Sequence, residues 1–343
     1  MLKRRITIKD LARELKISAS TVSRALADRW DVSPETRRVV VELAEKLNYK
    51  PNPISLSLKQ QSSMSIGVVV PEFINHFFAE VIMGIQSVVE SQGFHILISP
   101  SNESELCELN NLKNLEANMM DGYIVSITQE TKNMDYFKQM LEREAPLVFF
   151  NRICEGLNVA SVTIDDYKWA FSAVEHLIEQ GCKRIVHLMG PPNLLLSQHR
   201  KQGWEDALRK HHLEIDDELL IPSGIMIESG VVAAHTVMEM KKRTDGIFAI
   251  TDPVAIGAMK TLQKNGYSIP KDIAIVGFTE SPAALIVEPN LTSVEQPTFE
   301  MGQMAANLLL EQIQNHSERP TPVKSIKMEA RLNIRESSLR SNP

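Results

Sequence analysis

No run of apolar residues in this 343-residue chain approaches the ~18 that a membrane-spanning helix needs, so an integral membrane protein is not expected. Cysteine is scarce as well. Cys107, Cys154 and Cys182 are odd in number and far apart, which excludes a disulfide framework and any metal-ligand spacing. Three free thiols in a reducing compartment fit that pattern. The common catalytic signatures are missing: no G-x-G-x-x-G behind a strand, no Walker A loop, no H-E-x-x-H and no G-x-S-x-G. The nine His are scattered, with His176, His211 and His212 in helical text. Neither an enzyme nor a metal or organic cofactor is expected. The first residues, Met1-Leu-Lys-Arg-Arg, lead into Ile6-Thr-Ile-Lys-Asp and not into an apolar run, so a secretory signal is not expected either.

What is present is an ordinary globular composition, 43% hydrophobic and 23% charged, with length for two or three domains. The net charge of −6 conceals an asymmetry. Residues 1–61 hold 13 Lys/Arg against 7 Asp/Glu, a net of +6, which leaves −12 for the remainder. A basic head on an acidic body suits a protein in which only the head meets a polyanion.

The head reads as three short helices. Thr7 with Asp10 three residues on is close to a capping box, and Ile8, Leu11, Ala12 and Leu15 form one apolar stripe behind it. Ser18 caps a second helix whose Val22, Ala25 and Leu26 face inward. Ser33-Pro34-Glu35 opens a third, with Val40, Leu43, Ala44 and Leu47 as its buried side. The outward residues of the second helix are Ala19, Ser20, Thr21, Ser23 and Arg24. A small, polar helix of this kind fits the major groove of DNA. Its guanidinium can bond a guanine edge bidentately, its methyl can touch thymine and its hydroxyls can take phosphates. Arg24 is the leading base reader, with a surface ion pair as the alternative reading.

Asn52-Pro53 starts a segment too short to be a stable helix alone. Leu56 and Leu58 are then apolar residues with nothing obvious to bury them, and a leucine wedge in a minor groove is one physical use for them. Packing on the body or on a partner chain is the other.

These residues carry a resemblance. Thr7-Ile-Lys-Asp-Leu-Ala12, Ser18-Ala-Ser-Thr-Val-Ser-Arg24, Thr36-Arg37 and Leu47-Asn-Tyr-Lys-Pro-Asn52 resemble the lactose-repressor (LacI/GalR) family of bacterial transcription regulators. The resemblance implies that Thr7, Ser18, Ala19, Ser20, Thr21, Ser23, Arg24, Asn52, Ser55 and Leu58 meet operator DNA. It also implies that the hinge folds on DNA, with Leu58 intercalating at the centre of the palindrome. Ala27, where the family usually has Asn, and Ser55-Leu56, where it has Ala before Arg or Lys, depart from the pattern.

From Ser65 the text alternates strand and helix. Strands are expected at 66–70, 95–99, 122–126, 146–150, 184–189, 246–251 and 273–277. Helices are expected at 77–92, 105–119, 167–180, 198–211 and 253–265. That alternation means parallel sheets with helices on both faces, in two lobes with a ligand cleft at the strand ends. The fold class expected is an all-α helix-turn-helix domain followed by an α/β periplasmic-binding-protein-like domain of two doubly wound lobes. The limits are 1–50 for the head, 51–63 for the hinge helix and linker, 64–338 for the body and 339–343 for the tail. Within the body the first lobe takes about 64–160 and 293–323, and the second about 161–292 and 324–338. Crossovers are expected near Asn158–Asp165, Pro289–Gln296 and Thr321–Met328.

The resemblance continues to Ser338 through Val162-Thr-Ile-Asp-Asp166, Arg200-Lys-Gln-Gly203, Val276-Gly-Phe278 and Leu291-Thr-Ser-Val294. It implies an effector cleft built from Phe77, Phe78, Asn151, Arg152, Leu194, Leu196, Arg200, Ile225, Thr251, Asp252 and Thr279. Plain core is the alternative for Phe77 and Phe78, because adjacent residues on a helix cannot both face one way. Thr279 stands where the family commonly has Asp, and Leu194, Leu196 and Ile225 replace frequent polar residues. A less hydroxylated or acidic effector is therefore expected, its carboxylate paired by Arg200 or Arg152. The tail carries no leucine heptads, so a homodimer is expected and not a tetramer. Partners are then double-stranded operator DNA and a sugar or sugar acid, in a cytoplasmic, nucleoid-associated repressor. The rival is a transport-type binding protein, which the basic head opposes.

Overall fold

A computed structural model describes residues 6–50, 62–315 and 323–340. Asn52, Ser55, Leu58 and most of the expected hinge lie outside the described residues. The chain divides into two compact units, residues 1–64 and 65–343.

The head is built by its caps. Helix α1 (Ile8–Leu15) starts where the Thr7 amide donates to Asp10 Oδ2 at 2.9 Å, and it ends at Lys16 in the left-handed region with φ 52°. Helix α2 (Ala19–Leu26) starts where Ser18 Oγ accepts from the Thr21 amide at 3.0 Å. Helix α3 (Pro34–Lys46) is capped by Ser33 with Pro34 in its first turn. Leu11, Val22, Ala25, Val32, Val40 and Ala44 close a small apolar core between them. With Ala12 these make seven buried residues, which supply little burial, so satisfied helix ends matter here. Ala19 departs from the sequence expectation: it packs partly against this core and does not stand outward.

The body holds two six-stranded sheets. The first runs in the order β11-β5-β4-β3-β1-β2 and the second β12-β10-β9-β8-β6-β7. The first sheet's strands are β1 (Ser65–Val70), β2 (His95–Pro100), β3 (Gly122–Val125), β4 (Leu147–Phe150), β5 (Ala160–Ile164) and β11 (Ser325–Met328), all parallel. The second contains β6 (Ile185–Met189), β7 (Leu220–Pro222), β8 (Gly246–Ala249), β9 (Ala274–Thr279), β10 (Thr292–Glu295) and the antiparallel edge strand β12 (Arg331–Asn333). Strands β3, β4, β6 and β8 are buried along their whole length, as expected of parallel strands covered on both faces.

In the first lobe, helix α4 (His76–Val89) packs on α11 (Thr298–Asn315), while α5 (Glu105–Ala117) and α6 (Asp135–Glu142) share a separate apolar core with β3 and β4. In the second, α7 (Asp166–Glu179) packs on α8 (Leu195–Lys210) and α9 (Ile227–Glu239) on α10 (Asp252–Lys264). The α4–α11 contact requires glycine on both sides. A Cβ on Gly84 would lie 2.0 Å from the Phe299 carbonyl oxygen, and one on Gly302 2.0 Å from that of Val81.

The crossovers follow their strands, and this corrects the lobe limits read from the sequence. Strand β5 pairs within the first sheet, so the first crossing comes after Ile164 and not at 160. Strand β10 belongs to the second sheet, so residues 293–295 are not part of the first lobe, and that crossing runs through Gln296 and Pro297. Strand β11 pairs with β5, so residues 325–328 are not part of the second lobe. Helices α6, α9 and α11 and strands β7 and β12 appear where the sequence reading assigned nothing.

Candidate functional site

Two sets of residues carry chemistry, one in each compact unit. In the head, α2 presents Ser20 and Arg24 to solvent, while Thr21 and Ser23 are half-buried. The hydroxyls are not idle: Ser18 Oγ bonds Ser20 Oγ at 2.7 Å and Thr21 Oγ1 at 2.8 Å. Arg24 Nη1 donates to Asp31 Oδ2 at 2.9 Å. Thr7 is exposed at the start of α1, where its hydroxyl donates to Asp10. These groups offer donors and hydroxyls along α2 and at the start of α1.

In the body, a cleft of about 410 Å³, its open mouth included, lies at the carboxyl ends of the strands. It is lined by Asn75, Phe77, Phe78, Asn151, Arg152, Leu194, Leu196, Arg200, Ile225, Thr251, Thr279 and Gln296. Ten of the eleven residues expected there are brought together. The eleventh, Asp252, is not among the lining residues. It is fully buried behind them, where Oδ1 accepts from Ser293 Oγ and Oδ2 from the Ser281 amide, both at 2.6 Å. Burial pushes its carboxyl up to about 7, against the pull of those two hydrogen bonds. Asp252 thus fixes the segment after β9 to β10.

Asn75 caps α4 by accepting from the Phe77 amide at 3.1 Å. That brings two adjacent aromatics to the wall with their rings nearly perpendicular, 88° apart at 5.1 Å. Both are buried and both line the cleft, so core and wall are not alternatives here. Asn151 follows β4 in the left-handed region with φ 56°. Thr251 caps α10, and its hydroxyl donates to the Ile225 carbonyl at 3.0 Å. Thr279 ends β9 at φ 109°, a strained conformation for a β-branched residue, and its Oγ1 accepts from Gln296 Nε2 at 3.2 Å. Gln296 is 5% exposed, and its Oε1 has no partner among the described residues. Asn75 and Gln296 escaped the sequence reading. Asn75 as a helix N-cap offered some signal for the first, and nothing in a connecting segment flagged the second.

The two arginines are already neutralised. Arg152 Nη1 donates to both oxygens of Glu103 at 2.9 Å. Arg200 Nε donates to Asp166 Oδ1 at 2.8 Å and Nη1 to the Ile250 carbonyl at 2.6 Å, with its guanidinium 3.5 Å from the centre of the Phe278 ring. Desolvation pushes the Asp166 carboxyl up, and the adjacent guanidinium pulls it back. With Phe, Leu and Ile side chains on its wall and amide and hydroxyl groups among them, the cleft can hold a ring by its faces and hydrogen-bond its hydroxyls. It offers little uncompensated positive charge.

Elsewhere the chemistry is quiet. Burial pushes the Cys154 and Cys182 thiols up to about 12, which leaves them unreactive, and all three cysteines are free. Among the described residues no group of three or more His, Cys, Asp or Glu is placed to hold a metal. No helix among them is long and apolar enough to cross a membrane.

Comparison with known proteins agrees with this arrangement. Residues 7–52 match the family described as bacterial regulatory proteins, lacI family, and residues 174–338 match the periplasmic binding protein-like domain. The chain is 32% identical to the catabolite control protein A of Priestia megaterium, over 89% of this chain and 91% of that one. It is 30% identical to the ribose operon repressor of Halalkalibacterium halodurans, over 97% of each. A solved complex of the transcriptional regulator CelR with cellobiose superposes with a TM-score of 0.74 at 28% identity, covering 97% of this chain and all of the other.

Proposed function

Because this chain belongs to the lacI family of bacterial regulatory proteins, we propose that it represses carbohydrate-use genes by binding a palindromic operator as a homodimer, under control of a small neutral carbohydrate in the inter-lobe cleft. The observation that carries the reading is the cleft wall itself. Two aromatics, three aliphatics and five neutral polar side chains face one space, and both nearby arginines already hold carboxylates. A sugar acid would have to displace Glu103 or Asp166 from its guanidinium, which leaves a buried carboxylate unpaired and costs several kcal/mol. The acidic effector expected from the sequence is therefore the weaker alternative, and a neutral sugar the stronger. The relatives named for a ribose operon and a cellobiose complex are consistent with that choice.

In this reading each α2 enters a major groove, with half-sites about one helical turn apart. Thr7, Ser18, Ser20, Thr21 and Ser23 position the helix while Arg24 reads a base. Asn52, Ser55 and Leu58 complete the contact at the hinge. Exposed Ile227 and Val232 on α9, with Leu285 and Ile286 beyond β9, support a second copy packing on the body. A cytoplasmic location near the nucleoid follows from that role.

Fluorescence anisotropy of the full chain on duplex DNA from its own upstream region tests the proposal, at a stated salt concentration because phosphate contacts make affinity steeply salt-dependent. Neutral sugars and uronates are added singly. Release by a neutral sugar is the expected outcome. Release by a uronate alone would overturn the charge argument, tightening by any sugar would make it a corepressor, and no binding to any palindrome would sink the regulator reading.

A further inference from the structure

The Arg24–Asp31 pair is not needed to fold the head. Arg24 sits on the exposed face of α2 and Asp31 seven residues on, in the connection to α3, and their side chains keep 47% and 33% exposure. An ion pair this open adds little stability. Its consequence is geometric. It fixes a long, flexible guanidinium through one nitrogen, Nη1, to one carboxylate oxygen, Oδ2. Nε and Nη2 of Arg24 and Oδ1 of Asp31 make no hydrogen bond among the described residues. What remains is two donors beside one acceptor, all on the side chains that border the face assigned to DNA.

That pattern has a complement in the major groove. A guanine edge offers two acceptors, while cytosine and adenine each offer an exocyclic amino donor. We propose that Asp31 is a positioning and specificity residue: it orients Arg24 on a guanine and uses its free oxygen to demand an amino-bearing base beside it. The proposal rests on the DNA-binding reading above and refines it. A thymine or guanine in that neighbouring position turns a carbonyl oxygen towards the carboxylate, so acceptor meets acceptor and the site is rejected. The same negative charge opposes phosphate, so Asp31 lowers affinity for arbitrary DNA while raising discrimination. An Arg alone, free to swing, gives the guanine contact without the neighbouring demand.

Trp30 supplies a probe in the same connection. It is 92% exposed, and the other two tryptophans, Trp169 and Trp204, belong to the body. Quenching of its fluorescence by duplex DNA, read against Trp30→Phe, reports whether this connection approaches the duplex.

The experiment is enrichment of randomised palindromic duplexes on the full-length wild type, R24A, D31A and D31N, at one salt concentration. R24A identifies the base pair that Arg24 reads. D31A is expected to keep the palindrome, to lose about tenfold in discrimination at that base pair and its neighbour, and to bind non-specific duplex more tightly. D31N keeps an acceptor for Arg24 and should retain most of the guanine preference while relaxing the neighbour. A D31A motif identical to wild type, with affinity changed uniformly, would overturn the proposal and leave the DNA reading intact. A wild type that enriches no palindrome would overturn both. Thermal melting of each variant separates these outcomes from a folding defect.

Discussion

Gln296 makes the sharpest demand in the cleft, because its amide nitrogen is engaged by Thr279 while its buried carbonyl oxygen has no partner among the described residues. A buried acceptor left unmade costs ~1–3 kcal/mol, and a ligand hydroxyl would recover much of that. Replacing it with Leu should therefore weaken sugar binding about tenfold while holding or raising the melting temperature. Loss of stability with affinity intact would mean that Gln296 is only a strut between β10 and α11. Glu108 allows a second test, in pH. Burial pushes its carboxyl from the ordinary 4.5 up to about 7, against hydrogen bonds from the Thr128 amide and Thr131 hydroxyl. The folded state thus holds the proton more tightly than the unfolded chain, so its contribution is complete below about 4.5 and is lost as pH rises through 7. Against E108Q, the wild type should lose ~1–3 kcal/mol between pH 5 and pH 8. Asp252 has the same sign but is present in both proteins and cancels. Parallel melting curves at the two pH values would refute this. At this scale the sequence was informative where the family resemblance carries over residue by residue, as with Phe77-Phe78 or Arg200. It was silent on Gln296, since an amide in a connecting segment looks like any other until the fold buries it. The family resemblance implied Asp252 in the cleft, and only the packing shows that its carboxylate is used behind the wall.

The helices of the head were readable from their ends; α9, held by its neighbour, was not. Thr7, Ser18 and Ser33 mark the starts of α1, α2 and α3, and each does so through its own side chain or that of a residue one turn on. Helix α9 has no side-chain cap and reads Ile227-Glu-Ser-Gly230-Val-Val, in which Gly and β-branched residues disfavour a helix. It is helical because Gly230 lets its backbone approach α10, where a Cβ would lie 2.1 Å from the Val254 carbonyl oxygen. Tertiary packing overrides propensity there. The crossover strands failed for a related reason: an apolar alternation says that a strand is buried, not which of two sheets buries it. The first lobe repeats the glycine device at α4 and α11, and there it can be tested. Gly302→Ala puts a methyl 2.0 Å from the Val81 carbonyl oxygen and 2.9 Å from the Ile85 amide nitrogen, which no rotamer can relieve because Ala has none. The helices must separate across a close-packed seam, so the variant should lose ~2–4 kcal/mol. A chemical-denaturation midpoint unchanged from wild type would show that the seam yields freely.

At the scale of the body, the cleft and the closure of the lobes share a residue. Glu103 holds the cleft arginine Arg152 and also accepts from the Gln129 amide at 2.8 Å, and the Gln129 carbonyl in turn accepts from Asn193 of the opposite lobe. A ligand that bears on Arg152 is therefore two side chains away from a lobe-to-lobe hydrogen bond. Such a chain transmits nothing unless the ligand prefers one arrangement of the lobes, and a shift of the DNA-binding equilibrium is limited by that preference. Thermodynamic linkage then makes a prediction that holds whatever the route between the two units. If a sugar weakens operator binding by some factor, saturating operator must weaken sugar binding by the same factor, expected at ~5–150-fold. The check is to titrate the sugar that releases DNA into the wild type alone and into its complex with the enriched duplex, at one salt concentration. Equal factors in the two directions locate the switch in one coupled equilibrium of one protein. Unequal factors, beyond the error of either titration, would mean that the sugar acts on something else in the assay, and the cleft of the second unit would lose its assigned role in releasing DNA from the first.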